Sequence, residues 1–295
     1  MNDNYFIKSS YKPNKILETI ETEDHKYWTE RRISQSYYSQ YYIYKFCRKL
    51  VKKENLKSVM DIGCGFAVKL MELIYPICNE VYGIDQERII QFCVKNFGLR
   101  TFLTDNVENP KINLDKKFDL IICSDIIEHL FNPDSLLSYI KRFSHKNTFV
   151  VISTPERDIL RGRNCDFSPK KAHVREWNLI EFKNYLENRG FKVLPHKLIK
   201  NFKILINLNK STHRIKEDFV TQLYKFSRFR SLKLLKHTQL ALLQNPDSDR
   251  ELSMKLSGSL KNYLKNIIDE ITIKIHFLLF KIYINLKKLE NPYKK

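Results

Sequence analysis

Short apolar runs alternate along this chain with amphipathic stretches of roughly ten residues, and that alternation is the first guide to its fold. "SVMDIGCG" is a compact apolar run ended by glycine, the pattern of a buried strand, and "VKLMELIYPI" after it suits a helix. The succession then repeats: strand "EVYGID", helix "ERIIQFCVKNFG" closed by glycine, strand "RTFLTD", strand "FDLIICSD", helix "NPDSLLSYIKRFS" and strand "NTFVVIST". Beyond a helix at "WNLIEFKNYLENRG", two more strands are expected at "FKVLPHKLI" and "HTQLALLQN". Strands alternating with helices of this length are joined by right-handed crossovers into a mostly parallel sheet, so the fold class is α/β.

The ends of the chain follow other patterns. A helix is expected from about Tyr37 to Lys53, at the close of a polar segment dense in tyrosine. Near the other end, apolar residues at 260, 264, 267, 271, 275, 278, 282, 286 and 289 step by three and four, which describes one long amphipathic helix. The chain therefore divides into an N-terminal aromatic segment (1–44), a central α/β domain (45–246) with an insert around 200–232, and a helical extension (247–295).

Composition supports a packed domain: 43% hydrophobic and 29% charged residues fit a globular protein with a core. Six scattered cysteines contain no CxxC pair, and most fall in expected strands or helices, where a thiol packs as a small apolar group. The opening "MNDNYFIKSS" has no apolar signal core, so a reducing cytoplasm is the expected location. No run of 18 apolar residues occurs, so no membrane span is expected. The net charge of +19 is unevenly placed: residues 192–236 hold 12 Lys+Arg against 2 Asp+Glu. Such a face either attracts anions (nucleic acid, anionic lipid, phosphorylated substrate) or is simply solvated.

The chemistry begins at "VMDIGCGFAVKL", a strand, a glycine turn and a helix. Gly63 and Gly65 would let backbone approach a ligand closely. Asp85 ends the next strand about 20 residues on, where doubly wound folds grip ribose hydroxyls. Asp105 ends the third strand and Ser124 with Asp125 the fourth, so all share the rim outside the strands' carboxyl ends, where open sheets bind ligands. A dinucleotide would place its pyrophosphate against the glycine turn. Asp61, two residues before the first glycine, would repel it and would instead attract a cofactor bearing an amino group beside a sulfonium.

In these residues the sequence resembles the class I S-adenosylmethionine-dependent methyltransferases. "DIGCG" looks like their first motif, Asp85 of "YGID" like their ribose-binding acid, Asp105 of "LTDN" like their adenine-contacting acid, and "FDLIICSDIIEHL" like their fourth-strand motif. The resemblance spans about residues 50–200 and implies a seven-stranded Rossmann-like sheet, helices on both faces, with the last strand antiparallel and the N-terminal segment as a helical lid. It implies S-adenosylmethionine held by Asp61, Gly63, Gly65, Asp85, Asp105 and Ser124.

Two places offer groups for the transfer itself. "SDIIEHL" resembles the metal site of small-RNA 3′-end methyltransferases, and ubiquinone-pathway O-methyltransferases show a similar pattern. On that pattern Asp125, Glu128, His129 and His173 would hold one divalent ion (Mg²⁺, Mn²⁺ or Zn²⁺). Asp stands at the first position where Glu is usual, which shortens the reach. The other reading makes Glu128 and His129 plain surface or capping groups. The second place is the long loop "PERDILRGRNCDFSPKKAHVRE", whose Arg157, Arg161, Arg163, Lys170, Lys171 and Arg175 suit an anionic or polyhydroxylated acceptor. At its end "HVREW" resembles a stretch of bacterial methyltransferases acting on sugars, lipids and natural products. Asn178 with Glu181 fits a capping box and Trp177 with Phe182 a hydrophobic staple, which leaves His173 and Arg175; of these His173 is the candidate general base or metal ligand.

The resulting expectation is O-methylation of a sugar, glycan intermediate or other small hydroxylated metabolite. The alternatives are a metal-dependent RNA 2′-O-methyltransferase, for which no aromatic RNA-binding motif is present, and a non-catalytic cofactor-binding partner subunit. The C-terminal helix would pack on the core or pair two copies of the chain.

Overall fold

A computed structural model describes residues 4–15, 40–78, 80–200 and 236–253. The tyrosine-rich stretch before residue 40, the basic insert and the long C-terminal helix, with the homodimer it suggested, lie outside these residues.

The central element is a seven-stranded sheet in the order β3-β2-β1-β4-β5-β7-β6. Its strands are β1 Ser58–Ile62, β2 Glu80–Asp85, β3 Phe102–Thr104, β4 Phe118–Ser124, β5 Ser144–Pro155, β6 Lys192–Lys200 and β7 Lys236–Gln244. The five strands from β3 to β5 run parallel, while β7 is antiparallel to both β5 and β6. The Rossmann-like class and the antiparallel last strand are as the motifs implied.

Both faces of the sheet are covered, and the period of two along each strand sorts the side chains. On one side Val59, Leu120, Ile122, Phe149, Val151, Leu240 and Leu242 pack beneath α1 (Tyr41–Glu54) and α2 (Glu87–Phe97). On the other, Met60, Ile121, Cys123, Val150, Ile152, Ala241 and Leu243 meet α3 (Pro133–Arg142) and, beyond a short helix α4 (Arg157–Arg161), α5 (Leu179–Asn188). Five of the cysteines are buried and all six are free thiols, in keeping with their reading as small apolar groups.

One expected helix differs. "VKLMELIYPI" forms a wide π turn at Leu70–Ile74 followed by a tight 3₁₀ turn at Tyr75–Ile77. Pro76 has no N–H to donate to the Glu72 carbonyl, so regular α-helical pairing ends there and Tyr75 N–H bonds the Leu70 carbonyl instead.

Residues 4–15 form a strap against α5 and the loop that follows β5. Ile7 and Tyr11 are buried, the Trp177 indole donates to the Tyr5 carbonyl, and Lys8 N–H donates to Glu181. Among the described residues no helix is long and apolar enough to cross a membrane.

Candidate active site

The carboxyl ends of β1, β2 and β4 converge on one rim, as parallel register requires. Between β1 and the wide turn, Gly63, Gly65 and Ala67 all have positive φ, at 73°, 54° and 54°. A Cβ on Gly63 would sit 2.2 Å from Ile126 Cδ1, so that glycine makes room for the turn after β4. Asp85 at the end of β2 accepts the Gly65 N–H at 2.8 Å and the Gln86 N–H at 2.8 Å, holding the glycine loop against its strand.

Asp61 is fully buried in β1. Its Oδ2 accepts the Tyr44 hydroxyl of α1 at 2.7 Å, while Oδ1 has no hydrogen-bond partner. Burial pushes its carboxyl up to about 7, against the opposing pull of Tyr44 and Lys69. Burial in turn brings the Lys69 ammonium down to about 8, although Asp61, Asp125 and Glu72 all support its charge. A buried carboxylate oxygen lacking a donor, beside a glycine turn, fits a cationic group such as the amino end of S-adenosylmethionine.

Asp105 is differently employed from a bare ligand group. Its Oδ1 accepts Asn106 N–H and Lys111 N–H, and its Oδ2 accepts Ile112 N–H and the Tyr139 hydroxyl, so the carboxylate clasps the loop after β3 to α3. Ser124 shares a 2.9 Å hydrogen bond with Ser153, which donates to Asp125 at 2.7 Å.

Beyond β4 the chain turns sharply, with Asp125 at φ 56°, into a single 3₁₀ turn, Ile127–His129. Glu128 is buried, its Oε2 accepting the Thr154 hydroxyl at 3.0 Å, and burial, reinforced by Asp125, pushes its carboxyl well up. The Glu128 carbonyl accepts Val174 N–H, which brings the end of the long loop alongside. Glu128, His129 and His173 consequently offer ligand atoms all within 4.8 Å of one another. Asp125, the fourth residue of the expected ion site, is not in that group; its carboxylate is taken by Ser153 and by Gln40, whose side chain also reaches the Ser124 carbonyl. The short aspartate arm is the physical reason.

Each histidine has a defined tautomer. His129 Nδ1 lies 2.6 Å from the Ala172 carbonyl, which can only accept, so this nitrogen carries the proton. His173 is buried, with Nδ1 2.6 Å from Glu176 and its ring edge-on to His129 at 4.8 Å between centroids. Burial would raise Glu176, yet hydrogen bonds from His173 and Arg161 prevail and hold its carboxyl down at about 2. As an ionised acceptor it takes the Nδ1 proton, leaving the His173 lone pair on Nε2, 3.3 Å from the Lys170 ammonium. Burial also lowers the His173 imidazole from its ordinary value, against the opposing pull of Glu176.

Three of the loop's arginines are engaged internally, while Arg163, Lys170 and Lys171 are exposed. Arg157 is buried and pairs with both Glu181 oxygens, Arg161 pairs with both oxygens of Glu176, and Arg175 donates to the Leu130 and Phe131 carbonyls beneath the Tyr5 ring. A bare guanidinium buried under this loop would be costly, so structure consumes the charges the composition displayed. Tyr44, Gln40, Lys69 and Glu176 carried no signal as site residues. Each is recognisable only once the fold brings it beside Asp61, Asp125 or His173.

A model of the methyltransferase domain family matches residues 34–196. The chain belongs to that family. Its domain is of the class I, S-adenosylmethionine-dependent methyltransferase type. It is 30% identical over 175 residues to a small RNA 2′-O-methyltransferase of Mus musculus, across 48% of this chain and 40% of that protein. It is 26% identical over 107 residues to the ubiquinone biosynthesis O-methyltransferase of Proteus mirabilis, across 35% of this chain and 43% of that one. The methyltransferase thus spans less than half the length of these curated relatives. In fold it matches the crystal structure of the plantazolicin methyltransferase BamL in complex with a triazolic desmethylPZN analog and SAH, with a TM-score of 0.53 at 19% identity, covering 76% of this chain and 91% of that one.

Proposed function

We propose that the enzyme methylates a hydroxyl of a small, polyhydroxylated acceptor such as a sugar or glycan intermediate, with His173 as the general base. The observation that carries this reading is the setting of His173: a buried imidazole whose Nδ1–H is held by Glu176 and whose ring stands beside Glu128 and His129 on the turn after β4. In the cofactor site Asp61 would face the amino group of S-adenosylmethionine and Asp85 the ribose hydroxyls. Gly63 and Gly65 would shape the turn, and Asp105 and Ser124 would line the same rim. Bound there, S-adenosylmethionine would supply an electrophilic methyl group on a sulfonium, with the neutral thioether of S-adenosylhomocysteine as its leaving group. The hydroxyl proton passes to His173 Nε2, an assistance typically worth about 10²–10⁴-fold. With Arg157, Arg161 and Arg175 engaged internally, the loop favours a neutral acceptor over a polyanion.

A second reading, a metal-dependent methyltransferase of RNA 2′-hydroxyls, is favoured by one observation, the convergence of Glu128, His129 and His173. One carboxylate oxygen and two imidazole nitrogens suit Mg²⁺, Mn²⁺ or Zn²⁺. The mouse relative's activity points the same way. An ion there would lower the pKa of the acceptor hydroxyl.

Transfer of labelled methyl groups to a panel of free and nucleotide-linked sugars and to short RNA decides between them. His173→Ala should cut turnover by about 10²-fold or more while S-adenosylhomocysteine affinity stays within a factor of about two; near-normal turnover removes His173 from the chemistry. Full activity after exhaustive chelation eliminates the ion, and RNA binding that is insensitive to salt eliminates the RNA reading.

A further inference from the structure

We propose that Glu176 is the positioning residue of the site, acting through His173 by fixing which ring nitrogen carries the proton and where the other one points. The inference rests on the reading of His173 given above.

Glu176 is fully buried, and every donor around it is accounted for. Its Oε1 accepts from His173 Nδ1 at 2.6 Å, from the Ser168 hydroxyl at 2.9 Å and from Arg161 Nη2 at 3.1 Å, while Oε2 accepts from Arg161 Nε at 3.1 Å. Arg161 and Ser168 hold the carboxylate from two sides, so it cannot swing away from the imidazole. A carboxylate kept solely to neutralise Arg161 would leave His173 to choose its own partner; here the shortest bond in the cluster is the one to the histidine.

The backbone on either side is pinned as well. Asn14 of the N-terminal strap donates its side-chain amide to the carbonyls of His173 at 2.8 Å, Ser168 at 3.3 Å and Lys170 at 3.3 Å. Glu176 N–H donates to the Tyr11 hydroxyl at 3.0 Å. The imidazole is therefore fixed at its Nδ1, at its own carbonyl and through its carboxylate partner. Outer-shell carboxylates of this kind set the tautomer and basicity of an imidazole, and their loss typically costs about 10–100-fold in the function they support. Preorganising a single lone pair spares the reaction the cost of finding that geometry.

The test uses the full chain with ¹⁵N-labelled histidine and long-range proton–nitrogen correlation spectra, His173 being assigned from the signal lost in His173→Gln. The wild type should show a neutral His173 protonated at Nδ1. Glu176→Ala should shift the ring towards the Nε2–H form, with S-adenosylhomocysteine affinity changed by no more than about twofold, because the cofactor residues are untouched. A wild-type His173 protonated at Nε2, or a tautomer unchanged in Glu176→Ala, overturns the proposal; the wild-type spectrum decides the matter even if the variant does not fold. Normal turnover in His173→Ala would overturn the reading beneath it while leaving the spectra as predicted, so the two failures are distinguishable.

Discussion

Asp61 has two tasks that pull against each other. As a buried acid in β1 it costs stability, and its single donor, Tyr44, satisfies only one oxygen. Two residues before Gly63, it is also the anion proposed to meet the cationic end of the cofactor. Asp61→Asn should therefore weaken S-adenosylmethionine binding by roughly 10–100-fold, the loss of one charge-assisted hydrogen bond of about 1.5–3 kcal/mol, while the thermal midpoint stays level or rises. Calorimetric titration and a melting curve on the same sample check both halves. Asp61, Gly63 and Asp85 could be found in the sequence because a glycine turn and the strand that follows it fix their spacing. Tyr44 and Glu176 could not be, since a tyrosine among many tyrosines and a glutamate in a basic loop acquire meaning only from contacts across the fold. Asp105 has a structural role that its motif did not show: its carboxylate accepts three backbone N–H groups and the Tyr139 hydroxyl.

Among the elements, α5 was the most legible. Asn178 and Glu181 form the capping box and Trp177 packs on Phe182 with ring centroids 5.6 Å apart, because both devices act within a few residues. The turn after β1 was read as a regular helix because its apolar spacing outweighed a single proline. A less visible contact ties β1 to β4 at the amino-terminal ends of these central strands. Asp119, near the start of β4, accepts Lys57 N–H at 2.7 Å, Ser58 N–H at 3.2 Å and His145 Nε2 at 3.1 Å. Burial raises its carboxyl, but those donors together pull it below its ordinary value. A carboxylate depressed in the folded state stabilises above its unfolded pKa of about 3.9, and that stability is lost as pH falls through the folded value. Asp119→Asn should cost about 1–3 kcal/mol at pH 7 and nearly nothing once pH lies below the folded value, which urea titrations at both pH values would measure. Equal costs at both would show that the clasp is not electrostatic.

Across the whole molecule, the class of fold and the family were legible because alternating strands and helices and four ordered motifs are properties of the chain alone. The acceptor was not, because the groups that would choose it come from a loop whose Arg157 and Arg161 pair internally and whose histidine is held by a strap distant in sequence. Arg157, Arg161 and Arg175 read as a surface in the sequence and are a scaffold in the fold.

The place of β7 bears on how this sheet can be made at all. β7 lies between β5 and β6 and is antiparallel to both, yet it begins at Lys236, long after β6 has ended at Lys200. A ribosome delivering the chain in order must release β5 with one edge bare and β6 with no neighbour, and both wait for the strand that separates them. During that interval the backbone of Phe149–Pro155 is a ready template for another copy of the same nascent chain. A chain stopped at residue 235 should consequently collect in the insoluble fraction, whereas the full chain made alongside it stays in the supernatant. Its synthesis would then favour a steady run through the last third of the message, since a pause there prolongs the half-built state.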